Sequence, residues 1–204
     1  MKSMKKVGIL GGTFNPIHIG HLILAETAYE TFELDYVLLM PNGNPPHKEI
    51  ETDHEGEHRM NMLKLAVEDN PHLYPSSFEL DRSGVIYTYR TLELLKEEYP
   101  DTKYYFILGA DSLFDLEKWQ KPDVICKNAT LLAAVRDELG KESVKQQISL
   151  LQKEYAAEIY LMDTPNLSFS SHNIRHRIKN GKTVTYYVPK AVEEYIHENN
   201  LYLS

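Results

Sequence analysis

The stretch GGTFNPIHIGH, residues Gly11–His21, decides the fold of this chain. It follows an apolar run at Val7–Leu10 that predicts a strand, and it leads into an apolar-periodic segment at Leu22–Phe32 that predicts a helix. A strand, a glycine-rich turn and a helix together aim backbone N–H groups at one point, where the helix dipole favours an anion. We therefore expect this turn to bind a phosphate group.

Two glycines and two histidines carry this expectation. Gly11 and Gly12 allow the main chain to turn tightly and to approach a ligand closely. His18 and His21 are three positions apart, which places both side chains on one face of the first helical turn. Imidazole N–H groups donate hydrogen bonds to phosphate oxygens. The alternative interpretation is an ordinary helix start with two solvated histidines.

Strand-like and helical patterns alternate along the rest of the chain. Continuous apolar runs such as Tyr36–Met40 are typical of parallel strands covered on both faces. The alternation predicts an α/β fold with a doubly wound parallel sheet, in which ligands bind at the carboxyl ends of the strands. The predicted strands are 7–10, 36–40, 74–79, 104–108, 130–135 and 158–162, and the predicted helices are 22–32, 57–69, 88–98, 112–119, 143–155, 171–180 and 190–199.

Length and composition indicate one globular domain. The 204 residues are enough for a sizeable core, and we expect a single domain over 1–204 with a helical portion from about residue 165. No apolar stretch is long enough to span a membrane, and the basic segment Met1–Lys6 does not begin a signal peptide. A net charge of −8 argues against nucleic-acid binding. With Cys126 as the only cysteine, we expect a core thiol in a cytoplasmic protein.

A second signal for anion binding opens a late predicted helix, in Phe169-Ser170-Ser171-His172-Asn173-Ile174-Arg175. Two serines at a helix N-terminus offer hydroxyl groups and free backbone N–H groups to an anion. Arg175 lies one turn further on and can bind phosphate oxygens through two N–H groups. The alternative is a plain serine N-cap followed by a surface arginine.

These two segments resemble the signatures of the H-x-G-H nucleotidylyltransferase superfamily, whose members join a phosphate nucleophile to the α-phosphate of a nucleoside triphosphate. Residues 169–175 are similar to the I-S-S-T-x-x-R element of that superfamily, with His172 where threonine is usual. The resemblance implies a Rossmann-like nucleotidylyltransferase fold. It also implies that His18 and His21 hold the α- and β-phosphates, and that Ser170, Ser171 and Arg175 hold the β- and γ-phosphates.

Further segments narrow the resemblance to the bacterial nicotinate mononucleotide adenylyltransferases, which are enzymes of NAD biosynthesis. In chain order these segments are Pro45-Pro46-His47-Lys48, Tyr87-Thr88-Tyr89-Arg90-Thr91, Ile107-Leu108-Gly109-Ala110-Asp111 and Lys118-Trp119. The resemblance extends from Lys6 to Tyr202. One position departs from the family element Y-T-[FY]-D-T, because Arg90 replaces its aspartate.

The resemblance implies transfer of an adenylyl group from ATP to nicotinate mononucleotide, with nicotinate adenine dinucleotide and pyrophosphate as products. It implies Mg²⁺ bound through ATP oxygens and water, without a set of protein ligands for the metal. The implied catalytic residues are His18, His21 and Arg175. The implied ATP-binding residues are Gly11, Gly12, Thr13, Phe14, His18, His21, Lys48, Gly109, Asp111, Ser170, Ser171 and Arg175, and the implied mononucleotide-binding residues are Asn15, Thr88 and Trp119.

Several of these assignments have a structural alternative. Asp111 either accepts hydrogen bonds from ribose hydroxyls or caps the next helix. Trp119 either stacks on the pyridine ring or packs in the core. Lys48 either closes onto the triphosphate as a mobile charge or is an ordinary solvated lysine. Thr88 would help to place the nicotinate carboxylate, and Arg136, at the end of the fifth strand, could lie near the adenine or the phosphates.

Two other functions remain open from the sequence. One is another H-x-G-H transferase, such as a phosphopantetheine adenylyltransferase or a cytidylyltransferase, which would share the phosphate motifs. The other is a non-catalytic nucleotide-binding sensor, for which Arg90 and His172 are the only support. A homo-oligomer is also left open.

Overall fold

The structure is a computed structural model that describes residues 4–43, 53–135, 140–165 and 169–203. Its centre is a six-stranded parallel sheet in the order β3-β2-β1-β4-β5-β6. The strand order reverses between β1 and β4, so the topological switch point lies beside β1. This architecture confirms the predicted doubly wound parallel sheet. The strands are β1 Lys5–Gly12, β2 Tyr36–Pro41, β3 Leu73–Pro75, β4 Thr102–Gly109, β5 Ala129–Val135 and β6 Ile159–Asp163.

The described residues also form eight α-helices and one 3₁₀ turn. Each parallel crossover needs a connection that returns the chain to the same end of the sheet, and helices supply most of these connections. The helices are α1 Ile19–Phe32, α2 Asp53–Ala66, α3 Thr88–Glu98, α4 Ala110–Asp115, α5 Pro122–Asn128, α6 Lys141–Tyr155, α7 Ser171–Lys179 and α8 Lys190–Glu198, and the 3₁₀ turn is Leu116–Lys118. None of the helices described is both long and apolar enough to cross a membrane.

Two apolar cores cover the two faces of the sheet. Successive residues of a strand point to opposite faces, so Ile107 joins one core while Phe106 and Leu108 join the other. The Ile107 side is covered by apolar residues of α1, α2, α7 and α8, and the Phe106 side by those of α3, α4, α5 and α6. Since α7 and α8 share the core of α1, the late helices pack beside the turn that follows β1.

The structure corrects three of the predicted elements. The third strand is only Leu73–Pro75, because the chain after it forms a turn in which Asp81 N–H donates to the Ser77 carbonyl oxygen at 2.8 Å. The helix predicted over 112–119 is α4 followed by the separate 3₁₀ turn. Helix α5 was not predicted, since seven residues are too few for a clear period and Pro122 suggests a loop, although proline is well tolerated in a first helical turn.

Candidate active site

The turn after β1 begins later than its glycines suggest. Gly11 and Gly12 still pair with Met40 and Pro41 of β2, so both glycines belong to the strand. The prediction of a tight turn at these glycines is therefore wrong, and the turn begins one to two positions later. The residue with left-handed backbone is Phe14, at φ 49°. Its buried ring lies over Gly12, where a Cβ atom would come within 3.3 Å of it. A larger residue at position 12 would therefore press on the Phe14 ring.

His18 and His21 form a stacked pair at the start of α1. Their ring centroids are 3.6 Å apart and their planes are inclined by 16°. His18 is the N-cap residue and only 3% exposed, so the alternative of two solvated histidines is wrong for His18. The backbone N–H of His18 donates to Nδ1 of His21 at 3.2 Å. Because Nδ1 accepts this bond, a neutral His21 carries its proton on Nε2.

Gly20 explains why the motif has glycine between its histidines. A Cβ atom at Gly20 would lie 3.2 Å from the His18 ring and 3.3 Å from the Phe169 ring. Contacts this short require one of the neighbouring rings to move. The glycine of the H-x-G-H pattern therefore leaves room for the buried His18 ring at the start of α1.

The N-terminus of α7 is bound to the same turn. Ser171 Oγ donates to the Pro16 carbonyl oxygen at 2.9 Å, and Arg175 Nη1 donates to the Asn15 carbonyl oxygen at 2.6 Å. The alternative of a surface arginine is therefore wrong for Arg175. Ser170 is the N-cap, and its Oγ accepts from the backbone N–H of Asn173 at 3.1 Å. The two predicted anion-binding segments thus meet, although about 155 positions separate them.

Arg59 is a site residue that sequence reasoning missed. It lies in α2, is 2% exposed, and donates from Nη1 to the carbonyl oxygens of Thr13 at 3.0 Å and Asn42 at 2.9 Å. It therefore joins the turn to the residue that follows β2. A single arginine within a polar helix is usually on a solvated face, so no signal in the sequence distinguished it.

The C-terminal segment supplies a further contact that the sequence did not predict. The hydroxyl of Tyr202 donates to Oδ1 of Asn15 at 2.5 Å. Asn15 is therefore held twice, through its side chain by Tyr202 and through its carbonyl oxygen by Arg175. These contacts fix the orientation of one of the residues predicted to bind the mononucleotide.

A small cavity of about 30 Å³ lies beside His18 at the carboxyl ends of β4 and β5. Gly109 and Ala134, which are partners in these two strands, line it together with Phe169. Asp111 lies just beyond, exposed in the first turn of α4. The N-cap of α4 is Gly109, so the alternative role of Asp111 as the helix cap is wrong.

Trp119 and Gly11 of β1 both adjoin the ring of Phe106. It is half-buried and meets Phe106 edge-on, with ring centroids 6.3 Å apart. A Cβ atom at Gly11 would lie 3.7 Å from the same Phe106 ring. Thr88 is the first residue of α3 and is also half-buried. One side of the Trp119 ring therefore packs against the core at Phe106, and part of the ring is exposed to solvent.

Arg90 points along its own helix. Its Nη1 lies 3.3 Å from a Glu93 carboxylate oxygen and 3.4 Å from one of Glu97. The hydrogen bond that Arg90 donates to Glu93 is the main reason that the pKa of Arg90 is raised. The residue that departs from the family element thus has its charge balanced on the exposed side of α3.

The remaining expectations concern Cys126, Lys48, Arg136 and the metal. Cys126 is 7% exposed, and burial raises the pKa of its thiol to about 11, which confirms a core thiol. Lys48 and Arg136 lie outside the described residues. Within the described ranges, no group of three His, Cys, Asp or Glu side chains could hold a metal ion.

Comparisons with known proteins agree with this geometry. Residues 9–177 match the family model of cytidylyltransferase-like proteins. Over 200 residues the chain is 44% identical to a probable nicotinate-nucleotide adenylyltransferase of Lachnoclostridium phytofermentans, covering 98% of this chain and 100% of the relative. A probable nicotinate-nucleotide adenylyltransferase of Synechococcus sp. (strain JA-3-3Ab) is 40% identical over 199 residues, with 98% and 95% covered.

A solved structure shares the fold across the whole chain. The Plasmodium falciparum nicotinic acid mononucleotide adenylyltransferase complexed with NaAD aligns at a TM-score of 0.79 and 22% identity, with 97% of both chains covered. The chain therefore belongs to the cytidylyltransferase-like family of nucleotidyltransferases. Within that family, its full-length relatives place it among the nicotinate-nucleotide adenylyltransferases.

Proposed function

We propose that this chain transfers the adenylyl group of ATP to nicotinate mononucleotide, as a step in NAD biosynthesis. The observation that carries the proposal is the meeting of the stacked histidine pair with the N-terminus of α7 at one turn. This arrangement collects side-chain and backbone donors at the switch point of a parallel sheet, where polyphosphate ligands bind. The full-length relatives support the same activity.

In the proposed reaction, an oxygen of the mononucleotide 5′-phosphate attacks the α-phosphorus of ATP. A new P–O bond forms as the bond from the α-phosphorus to the bridging oxygen breaks, and that oxygen leaves with the electron pair as part of pyrophosphate. A phosphate is already anionic at neutral pH, so the attack needs no general base. Catalysis then rests on aligning two anions and on stabilising the charge that develops between them.

The residues take the following proposed roles. His18 and His21 donate to the α- and β-phosphates, while the N-terminus of α7 with Ser170, Ser171 and Arg175 receives the β- and γ-phosphates. Ser171 Oγ already donates to the Pro16 carbonyl oxygen, whereas Ser170 Oγ accepts from the Asn173 N–H and keeps its own O–H as a donor. The groups offered to the phosphates would therefore be this O–H, the first backbone N–H groups of α7 and the remaining guanidinium donors of Arg175.

We further propose places for the two bases. The adenine would lie beside Gly109 at the carboxyl end of β4, outside the small cavity, with Asp111 on the ribose. Trp119 would stack on the pyridine ring, and Thr88 would place the nicotinate carboxylate at the start of α3. Thr13, Phe14 and Asn15 of the turn would contact the substrates together with Gly11 and Gly12.

A divalent metal is general in ATP-using nucleotidyltransferases, and we propose that it is Mg²⁺ bound by ATP oxygens and water. The chemistry of the described donor set fits this arrangement, since it offers no three-residue cage for the metal. When bound, the ion neutralises charge on the phosphates. We propose also that residues 1–204 form one domain, because α7 and α8 share a core with α1.

The test is a comparison of acceptors with pyrophosphate release as the readout. The start of α3 directs backbone N–H groups and a helix dipole at an anionic ring substituent, and a site that pairs a carboxylate rejects an analogue without one. We expect nicotinate mononucleotide to exceed nicotinamide mononucleotide by at least about 100-fold in kcat/KM, or about 2.7 kcal/mol. Phosphopantetheine, and CTP in place of ATP, should give no turnover.

The outcomes separate the alternatives. Equal use of the two mononucleotides would contradict the nicotinate assignment and leave adenylyl transfer intact. Turnover of phosphopantetheine or CTP would identify another transferase of the same superfamily. ATP binding without turnover of any acceptor would identify a nucleotide-binding sensor.

A further inference from the structure

A carboxyl group joins two segments of the chain that lie beside predicted site residues. Glu79 lies in the turn between β3 and α3, and its Oε1 accepts from Thr91 Oγ1 at 2.7 Å. Its Oε2 accepts from the backbone N–H of Gly43 at 3.4 Å. Thr91 lies in α3, one helical turn after Thr88, and Gly43 follows closely on the end of β2. Glu79 therefore bridges the start of α3 and the carboxyl end of β2.

The turn that carries Glu79 is fixed by its own hydrogen bonds. The Asp81 N–H donates to the Ser77 carbonyl oxygen at 2.8 Å, and Ser77 Oγ donates to Asp81 Oδ2 at 2.6 Å. A Cβ atom at Gly43 would lie 2.9 Å from the Glu79 carbonyl oxygen, so the backbone after β2 lies directly against this turn. The backbone of Glu79 thus has a fixed position from which its carboxyl group reaches Thr91.

The carboxyl end of β2 is fixed in the same way to the end of β1. Asn42, the neighbour of Gly43, donates its backbone N–H to the Gly12 carbonyl oxygen at 2.9 Å. The carbonyl oxygen of Asn42 accepts from the buried Arg59 at 2.9 Å. A continuous set of contacts therefore leads from the turn after β1, through Gly43 and Glu79, to the start of α3.

The other end of α3 is held independently of Glu79. The Tyr104 hydroxyl donates to the Leu95 carbonyl oxygen at 3.2 Å, and the side chains of Leu92 and Leu95 are buried in the core between α3 and the sheet. Loss of the bond between Thr91 and Glu79 should therefore shift the first turns of α3 without releasing the helix from the sheet.

We infer that Glu79 is a positioning residue for the acceptor mononucleotide and that it acts without touching the substrate. The inference rests on the proposed function, which places the nicotinate carboxylate at Thr88. An acceptor whose ring end lies at the start of α3 and whose phosphate lies at the turn after β1 must span these two elements. Glu79 sets their separation through Thr91 and Gly43. ATP would be held by the turn and by α7, so its binding should not depend on this bridge.

The experiment compares Thr91→Val with Thr91→Ser in the full chain. Valine keeps the volume of threonine and removes the hydroxyl that donates to Glu79, whereas serine keeps the hydroxyl. Loss of this hydrogen bond should raise the KM for nicotinate mononucleotide about tenfold in Thr91→Val. The KM for ATP should stay within about twofold of the wild type, and so should both KM values in Thr91→Ser.

Two further measurements connect the effect to Glu79 and to the choice of acceptor. Nicotinamide mononucleotide lacks the carboxylate that the start of α3 would bind, so Thr91→Val should lower the preference for nicotinate mononucleotide about tenfold. Glu79→Ala should raise the same KM, and adding Thr91→Val to it should change that KM little, because the two residues act through one bond.

Glu97→Ala is the matched control for Glu79→Ala. It removes a carboxylate from the exposed side of α3, where Glu97 lies 3.4 Å from Arg90. Both KM values should stay at those of the wild type. An equal rise of the mononucleotide KM in Glu97→Ala would overturn the inference, because the effect would then be one of charge on α3.

Equal KM values for nicotinate mononucleotide in Thr91→Val and Thr91→Ser would also overturn the inference, since the hydroxyl would then have no part in positioning. So would a joint rise of both KM values in Thr91→Val, which is the result expected of a residue that only stabilises the fold.

Failure of the proposed function looks different. In that case the wild-type chain forms no nicotinate adenine dinucleotide or shows no preference for nicotinate mononucleotide. Calorimetric titration of nicotinate mononucleotide then tests Glu79 without turnover. Binding that is about tenfold weaker in Thr91→Val but not in Thr91→Ser supports the positioning role. Equal binding by the two variants, or no binding by the wild type, overturns it.

Discussion

The ring of His21 lies flat against the ring of His18, with centroids 3.6 Å apart, and its Nδ1 accepts the backbone N–H of His18. The two histidines are therefore one unit, in which the second fixes the start of the helix and the first is buried beneath it. Because the two rings are already held in place, binding a phosphate costs no free energy for reorienting them.

His18→Ala should lower turnover by about two to three decades, as expected for the loss of one preorganised donor in the transition state. ATP binding should weaken much less, because other groups hold the remaining phosphates. Steady-state kinetics and ATP titration measure the two effects. His197→Ala, at an exposed position near the end of α8, is the matched control. Near-normal turnover of the His18 variant would remove this residue from the mechanism.

Gly20→Ala should disturb the same ring without removing it. The added Cβ atom would stand 3.2 Å from the His18 ring, which forces the ring to shift. Small displacements of catalytic groups cost about tenfold to 100-fold in rate, so kcat should fall by about that range with little loss of stability. Gly140→Ala is the control, because its nearest neighbour would be 3.9 Å away. An unchanged kcat would show that the ring position is not critical.

Trp119→Ala should raise the KM for the mononucleotide and leave the KM for ATP nearly unchanged. Loss of a stacking partner costs about 1–3 kcal/mol, which corresponds to about tenfold or more in KM. Trp119→Phe keeps an aromatic face and should recover most of the loss. If both KM values rise together and the melting temperature falls sharply, Trp119 belongs to the core beside Phe106 instead.

Arg59→Lys should lower both stability and turnover. A lysine ammonium is a point charge on a flexible stem, without the rigid planar group that holds Arg59 Nη1 between the Thr13 and Asn42 carbonyl oxygens. Weakening the hydrogen bonds of the buried Arg59 to these half-buried carbonyl groups should cost about 1–3 kcal/mol in the free energy of unfolding. Urea unfolding checks this value, with the exposed Arg90→Gln as control. A Lys variant as stable and active as the wild type would contradict the clamping role of Arg59.

Glu79 should make stability depend on pH. Burial raises the pKa of its carboxyl group, against the hydrogen bonds that Thr91 Oγ1 and the Gly43 N–H donate to it. Because the pKa of Glu79 is higher in the folded than in the unfolded protein, the folded state binds more protons at pH values between the two pKa values. The stabilisation that Glu79 gives the folded state is complete below the ordinary pKa of glutamate, at about pH 4, and is lost as the pH rises through the raised pKa.

Glu79→Gln removes this titration and keeps an oxygen that can accept the Thr91 bond. The free energy of unfolding, measured by urea denaturation from about pH 4 upward, should therefore fall with pH less steeply in the variant than in the wild type. Parallel curves for the two proteins would show that Glu79 titrates alike in the folded and unfolded states.

The sequence predicted those parts of the structure that local patterns determine. The strand before Gly11, the helix after His18 and the parallel sheet followed from the period of apolar residues. The role of Arg59 did not, because its partners are backbone carbonyl groups on two distant segments. The contact between Tyr202 and Asn15 spans 187 positions, and a single sequence shows no such pairing. The short strand β3 and the short helix α5 lack the length that makes a period visible.

The contacts of Asn15 and Pro16 have a consequence for the order in which the site is completed. Their partners are Ser171, Arg175 and Tyr202, so the turn near the start of the chain is supported by residues made long after it. During synthesis, a nascent chain can form β1 and the beginning of α1 early, but the full set of contacts on Asn15 and Pro16 forms only after residue 202 has left the ribosome. Full activity should therefore need Tyr202, and a chain cut just before Tyr202 should fold its sheet yet hold Asn15 only at its carbonyl oxygen.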